Sequence, residues 1–556
     1  MQGVRLLACT LALAQSPAAS AQSYPAGPQV VTFFSDIDDT DQPYALYVPK
    51  DYDARIRYPL VISLHGAGSN HRLNLRRVFG KGNLPGETDA EATRYFPRLR
   101  DVGYFVASPL ARGTLGYQDI AERDVYDVLS DVKKRFSIDE DRVYLSGLSM
   151  GGGGTLWLGL TRPDVWAAIA PVCAAAPDEA TPLAGNALNL PVHLFHGALD
   201  PVVPVVASRK WQHDFLELGC PVDYTEYPNV RHNAWDSAYR NGSVFDLFGS
   251  VRRERFPRHV RFRTKRYKYV SAYWVSLDGI SSDEIGPGTL AGIDAEFTGK
   301  NQIAIRTTEV DGFTLNLAGH PMYTGSAPIT IVIDGQKMKP GPAGSFSKTA
   351  KGWQPGRYAP PRGHKGPGAE GPISEAVASR HIYVYGTGGP VTDDEVRSRR
   401  QQALDAAEWS TARDRLLLTF RTLADREVTP GDIASANLVL FGTRETNTLL
   451  ARYAAQLPIA LNPSAADYGL VFIYPAGGRY LLINSGLPWW TGMDQANRGG
   501  LSFLPAKYRA LRTFGDFVLF KGSLENVIAE GLFTPDWKLP PEAAQRMNAT
   551  GAVRIE

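Results

Sequence analysis

Residues 142–152 read Arg142-Val-Tyr-Leu-Ser-Gly-Leu-Ser-Met-Gly-Gly152, and this stretch decides the fold. Arg142–Ser146 is a short apolar, β-prone run. Thr155-Leu-Trp-Leu-Gly-Leu160 reads as a buried helix. Between them Ser149 sits in a G-x-S-x-G pentapeptide, flanked by Gly147 and Gly151. A strand, a Gly-flanked serine and a helix predict a sharp elbow that presents the serine as a nucleophile. The glycines matter because such a turn leaves no room for Cβ atoms beside the serine. The pentapeptide alone is common, so it acquires chemical meaning only with partners.

A serine hydroxyl is a poor nucleophile at neutral pH; it needs a base, and the base needs an orienting carboxylate. With this elbow the chain order is serine, acid, histidine. Downstream, Leu190-Pro-Val-His-Leu-Phe-His-Gly-Ala-Leu-Asp200 reads as a strand ending in a turn that carries Asp200. Val222-Asp-Tyr-Thr-Glu-Tyr-Pro228 is a second strand-like run, followed by the polar loop Asn229-Val-Arg-His232-Asn-Ala-Trp235. Loops after parallel strands are where α/β proteins place catalytic groups. Asp178, after the run Ala167-Ala-Ile-Ala-Pro-Val-Cys173, is a second choice for the acid, and Asp236 reads as a surface or helix-start residue. Upstream, Tyr58-Pro-Leu-Val-Ile-Ser-Leu-His65-Gly-Ala-Gly68 is an apolar strand running into a Gly-rich loop. The backbone N–H groups of Met150 and Ala67 are the expected oxyanion donors.

Residues 28 to about 245 resemble the secreted serine esterases of the α/β-hydrolase superfamily sometimes labelled "predicted peptidases". These are relatives of feruloyl and acetyl-xylan esterases, polyhydroxybutyrate depolymerases and the prolyl oligopeptidase catalytic domain. The matching strings are Leu64-His-Gly-Ala-Gly68, Asp141–Gly152, Phe195-His-Gly-Ala-Leu-Asp-Pro-Val-Val-Pro204 and Tyr227–Trp235. The resemblance implies Ser149 as nucleophile, His232 as base and Asp200 as orienting acid, with no cofactor and no metal. Many relatives have Gly before the histidine; here Arg231 places a cation beside His232.

The N-terminus carries Arg5, a short apolar stretch from Leu6 to Ala14 and a small-residue run ending Ala19-Ser-Ala21. This reads as a secretory signal over residues 1–21 and implies a secreted or periplasmic protein. Its removal leaves Cys173 and Cys220, expected as buried free thiols, with one disulfide left open. A formal net charge of +2 over 556 residues gives no reason to invoke nucleic acid or a membrane surface as partner. The basic run from Arg252 to Lys268 reads as a solvated sheet face. His193 and His196 have no metal spacing, since an i,i+3 pair on a strand points to opposite faces.

Along the chain, residues 28–248 alternate strands and helices and predict an α/β-hydrolase catalytic domain with a doubly wound parallel sheet. An edge hairpin spans residues 30–50. Residues 255–340 alternate apolar and polar residues and predict a β-rich module, with turns at Asp278-Gly and Asp334-Gly. Within it Tyr269–Val275 reads as one strand. Residues 341–374 are rich in Gly, Pro and basic residues and read as a linker or long loop. Residues 375–540 predict a C-terminal α/β domain without a triad of its own. Trp489-Trp490 reads as core rather than a sugar-stacking platform.

The resulting expectation is a secreted serine carboxylic-ester hydrolase of carbohydrate-linked or small acyl/aryl esters. The rivals are a prolyl-oligopeptidase-like peptidase and a catalytically idle binding protein. Oligomeric state is left open.

Overall fold

The computed structural model describes residues 24–280, 290–338, 344–411, 414–496 and 504–556. The leader reading of residues 1–21 lies outside the described residues.

Eight strands form the first sheet: β1 (Gly27–Ser35), β2 (Thr40–Val48), β3 (Tyr58–Leu64), β4 (Phe105–Pro109), β5 (Ile138–Leu148), β6 (Ala168–Val172), β7 (Val192–Gly197) and β8 (Val222–Tyr227). Their order is β1-β2-β4-β3-β5-β6-β7-β8. β1 and β2 make the expected antiparallel hairpin, and β3 to β8 run parallel. The central strands are continuous apolar runs because helices cover both faces. Leu60, Ile62 and Leu64 of β3 pack into one hydrophobic cluster, whereas Val61 packs into the other. Helices Asp119–Arg135 and Met150–Thr161 serve the first face; His71–Val78 and Ser243–Phe248 serve the second. Each fully buried Leu, Ile or Val contributes about 1.5–3 kcal/mol.

Two five-stranded sheets follow and face each other as a small sandwich. One comprises Ser271–Ala272, Val275–Ile280, Val310–Leu315, Ser345–Thr349 and Gly352–Pro355; the other is led by the edge strand His259–Thr264. Three expectations change here. Tyr269–Val275 is not one strand: the chain turns at Tyr273 (φ 55°), and Ser271–Ala272 pairs back on Val275–Ser276. Asp278-Gly279 is not a turn but part of strand Val275–Ile280, with a register shift on each side of Gly279. Gly279 is required there because a Cβ would come within 2.5 Å of the Tyr358 ring. The expected linker begins too early, since Ser345–Thr349 and Gly352–Pro355 form a hairpin of the sandwich. Its Phe346 and Trp353 are buried in the core. The surrounding Gly, Pro and Lys masked two short strands anchored by one aromatic each. Asp334-Gly335 does form the expected turn, with both residues at positive φ.

The last unit is a seven-stranded mixed sheet whose central strands include His381–Tyr385, Asn437–Phe441 and Arg479–Gly486. Helix Asp393–Ala407 starts in a capping box between Thr392 and Glu395. The unit runs past residue 540, because Val553–Ile555 pairs with Ile459–Leu461. Trp489 is fully buried and stacks on Tyr383 and Phe441.

The units are joined by directed polar contacts. Asn186 of the 3₁₀ helix Asp178–Asn189 exchanges hydrogen bonds of 2.7 and 2.9 Å with the Arg263 backbone. Arg252, Arg253 and Arg255 pair with Asp139 or Asp141 at the start of β5. The basic run is therefore in part a seam between units rather than only a solvated face. Arg112, after β4, bonds to the Leu417 carbonyl of the C-terminal unit at 3.3 Å.

Candidate active site

Ser149 stands between the end of β5 and the first residue of helix Met150–Thr161. Its backbone is at φ 56°, ψ −117°, a strained conformation for a residue with a side chain. Close packing holds the strain: a Cβ on Gly147 would lie 2.3 Å from the Gly151 carbonyl oxygen, and one on Gly151 would lie 2.2 Å from the Leu64 oxygen. Only hydrogen fits at either position.

The structure brings the three residues expected from sequence into one hydrogen-bonded chain. Ser149 Oγ lies 2.9 Å from His232 Nε2, and His232 Nδ1 lies 2.7 Å from Asp200 Oδ2. Asp200 follows β7 and has a fully buried carboxylate; His232 follows β8 and is partly open to solvent. Asp200 Oδ1 accepts the Val202 and Val203 N–H groups at 2.8 and 2.9 Å. Burial opposes ionisation of this carboxyl. The bonds from His232 and the two amides outweigh it and hold the group below its ordinary range. An ionised acid fixes the His232 tautomer with its proton on Nδ1, leaving Nε2 free to accept from Ser149.

Met150 opens its helix, so its N–H has no partner within that helix. Ala67 lies in the turn after β3, where Gly66 packs against Leu148 and Ser149. His65, fully buried, anchors this turn: Nδ1 is 2.8 Å from the Gly66 carbonyl oxygen and Nε2 is 2.8 Å from that of Leu110. Gly68 N–H donates to Thr114 Oγ1 at 2.8 Å, tying the turn to the segment after β4. The Met150 N–H thus belongs to the first turn of a helix, and Ala67 to a turn tied down by His65 and Thr114.

One contributor was missed from sequence. His196 is fully buried on β7, and its Nε2 lies 3.2 Å from Asp200 Oδ2 and 3.0 Å from the Val203 carbonyl oxygen. Its Nδ1 lies 2.7 Å from Ser208 Oγ. Considered for metal spacing with His193, it instead braces the acid; its position four residues before Asp200 was the available signal. Asp178 is exposed at the start of the 3₁₀ helix, and His232 Nδ1 is bonded to Asp200 instead; Asp236 is exposed and bonded to Asn233. The Arg231 side chain is exposed, while its carbonyl packs against Gly197. The expected cation is thus turned to solvent.

Cys173 and Cys220 are free and buried. Cys173 Sγ lies 3.3 Å from the His232 carbonyl oxygen, and burial pushes its thiol well up. Cys173, Asp200 and His232 have ligand atoms within 4.8 Å of one another. A metal there would have to displace the proton between His232 and Asp200 and a thiol that burial keeps protonated, so the donor set fits a hydrogen-bonded triad better.

A family model described as phospholipase/carboxylesterase matches residues 122–241, which include the elbow, the acid and the histidine. The first unit has an α/β-hydrolase fold, with the elbow serine at the end of its central strand β5. Among curated proteins, cutinase 2 of Thermobifida cellulosilytica is 29% identical over 164 residues, spanning 27% of this chain and 58% of that protein. Cutinase cut1 of Thermobifida fusca is also 29% identical over 164 residues, spanning 27% of this chain and 48% of that protein. The chain thus spans about half the length of the curated relatives it matches. A solved thermostable esterase is 27% identical, covering 41% of this chain and 63% of its own, with a TM-score of 0.33. A solved ferulic acid esterase is 16% identical, covering 41% of this chain and all of its own, at 0.33. The sandwich and the C-terminal sheet follow this α/β-hydrolase fold in the chain, after Ser149, Asp200 and His232.

Proposed function

We propose that the protein is a secreted or periplasmic serine carboxylic-ester hydrolase. The observation that carries the reading is the continuous chain Asp200–His232–Ser149 at the carboxyl ends of three parallel strands. In this reading His232 Nε2 takes the Ser149 Oγ proton as the oxygen attacks an ester carbonyl. The Met150 and Ala67 N–H groups receive the oxyanion, each worth about 3–4 kcal/mol of transition-state stabilisation. Protonated His232, held by ionised Asp200, gives its proton to the departing alcohol. A water molecule then gives a proton to His232 and attacks the acyl-serine, which releases the acid and restores Ser149.

The carboxylesterase family match supports ester hydrolysis, and the name cutinase of the curated relatives points to the same bond type. The substrate class proposed is a carbohydrate-linked or small acyl or aryl ester. The signal-like residues 1–21 support export.

The test pairs a p-nitrophenyl acyl ester with a proline-containing chromogenic peptide, and adds fluorophosphonate labelling. Wild type should take the label and cleave the ester faster than the peptide. Ser149→Ala should lose the label and lower kcat by at least about three orders of magnitude. Fast peptide cleavage with slow ester cleavage would assign a peptidase, and an unlabelled wild type would assign a binding protein.

A further inference from the structure

A cavity of about 280 Å³ lies where the three units meet, walled by residues of the hydrolase unit, the sandwich, the 365–374 segment and the C-terminal unit. It is separate from the serine. Trp157 and Thr161 line it from helix Met150–Thr161, eight and twelve residues beyond Ser149, or about 12 and 18 Å along the helix.

The wall is mostly apolar and drawn from every unit: Trp157 and Leu183, Ile280, and Phe514 with Leu532. Trp157, Leu183, Ile280 and Phe514 are themselves buried. Side chains that served only to hold the units together would close such a gap, because a void forfeits dispersion contacts on both sides.

The charges are arranged unequally. Three of the lining cations already have an anion. Arg266 pairs with Glu375 and lies beside Glu370; Lys365 pairs with Asp516; Arg512 lies 3.5 Å from Glu179. A second anion placed there would face Glu370 and Glu179. The other two lining cations are Arg263, which is exposed, and Lys265, which is half-buried. Neither has an ion pair among the described residues. Both flank Thr264 at the end of the sandwich strand whose backbone is fixed to Asn186. The cavity therefore combines apolar wall residues with two cations that have no ion pair among the described residues.

We propose that this cavity is a second ligand site, distinct from Ser149, for a small amphipathic carboxylate. Its apolar body would lie against Trp157, Leu183 and Ile280, and its carboxylate would meet Arg263 and Lys265. The volume is near the lower end of small-molecule sites and suits a single-ring or medium-chain acid. The inference stands independently of the ester-hydrolase reading.

The experiment is titration calorimetry of the full chain with 4-phenylbutyrate, octanoate, neutral 4-phenylbutyramide and inorganic phosphate. The Ser149→Ala protein should bind 4-phenylbutyrate with one saturable site and wild-type affinity. Arg263→Glu with Lys265→Glu should weaken it at least tenfold, about 1.4 kcal/mol or more. Leu183→Trp, which fills the wall, should do the same. The amide and phosphate should bind more weakly than the acid. The proposal is overturned if no probe acid gives saturable binding, or if binding survives the double charge reversal in a protein with an unchanged near-ultraviolet spectrum. Phosphate binding as tightly as the acid would overturn the amphipathic class in favour of a simple anion.

Discussion

His196 shows how much of the site rests on one buried side chain outside the triad. Its Nε2 faces both Asp200 Oδ2 and the Val203 carbonyl, so it fixes the acid and the loop that supplies two amides to that acid. His196→Phe removes this brace while keeping an aromatic volume. The expected outcome is kcat lowered by about ten- to a hundredfold with KM little changed, because the loss falls on orientation in the transition state. Steady-state kinetics on a p-nitrophenyl ester checks it; unchanged kcat would remove His196 from the account. The triad residues themselves were legible because each follows a strand in a required order. His196 was not, because a histidine on a strand is chemically silent until the fold sets it beside Asp200.

At the scale of elements, the elbow and the sandwich make different demands. The elbow depends on two close approaches, so Gly151→Ala must push helix Met150–Thr161 away from β3. Expected is a loss of fluorophosphonate labelling together with a stability loss of about 1–3 kcal/mol, the usual cost of overpacking. A labelled, fully stable variant would contradict the packing argument. In the sandwich, Asp294 pairs with His259, Arg261 and Arg306. Burial resists its ionisation, but His259 and the arginines win and hold its carboxyl at about 2. Because the folded value is depressed, the contribution is present above the unfolded value of about 3.8 and is lost as pH falls toward 2. Asp294→Asn should therefore flatten the acid limb of the stability curve by at most about 2 kcal/mol between those values. Urea unfolding at a series of acid pH values measures this; an unchanged limb would count against the pairing. Alternation of polarity announces the sandwich, yet its last hairpin carries only one core aromatic per strand, Phe346 and Trp353, set among turn-forming residues.

Across the whole molecule, a buried ionic knot in the first unit also bonds to the C-terminal unit. Arg112 is fully buried, at 2.7 Å from Asp124 and 2.8 Å from Asp38, and also reaches the Leu417 carbonyl. Arg112→Ala would strand two buried carboxylates. The expected destabilisation is about 3–5 kcal/mol, the cost of breaking a buried pair from one side. Since Arg112 also touches the other unit, calorimetry should show the transitions of both units moving down together. A shift confined to one transition would mean that the units unfold independently of this contact. The Thr114–Gly68 bond in the same segment carries the coupling to the turn that holds Ala67.

Taken by itself, the sequence determined the strand–serine–helix elbow, the order of acid and histidine, and the succession of an α/β unit, a β-rich unit and a second α/β unit. These follow from local periodicity and turn chemistry, which near neighbours in the chain encode. Only the tertiary structure decided which histidine braces Asp200, where Arg231 points, where the sandwich ends and how the units meet. Those outcomes depend on contacts between residues far apart in the chain, such as Arg112 with Leu417 and Arg266 with Glu375, and no local pattern records them.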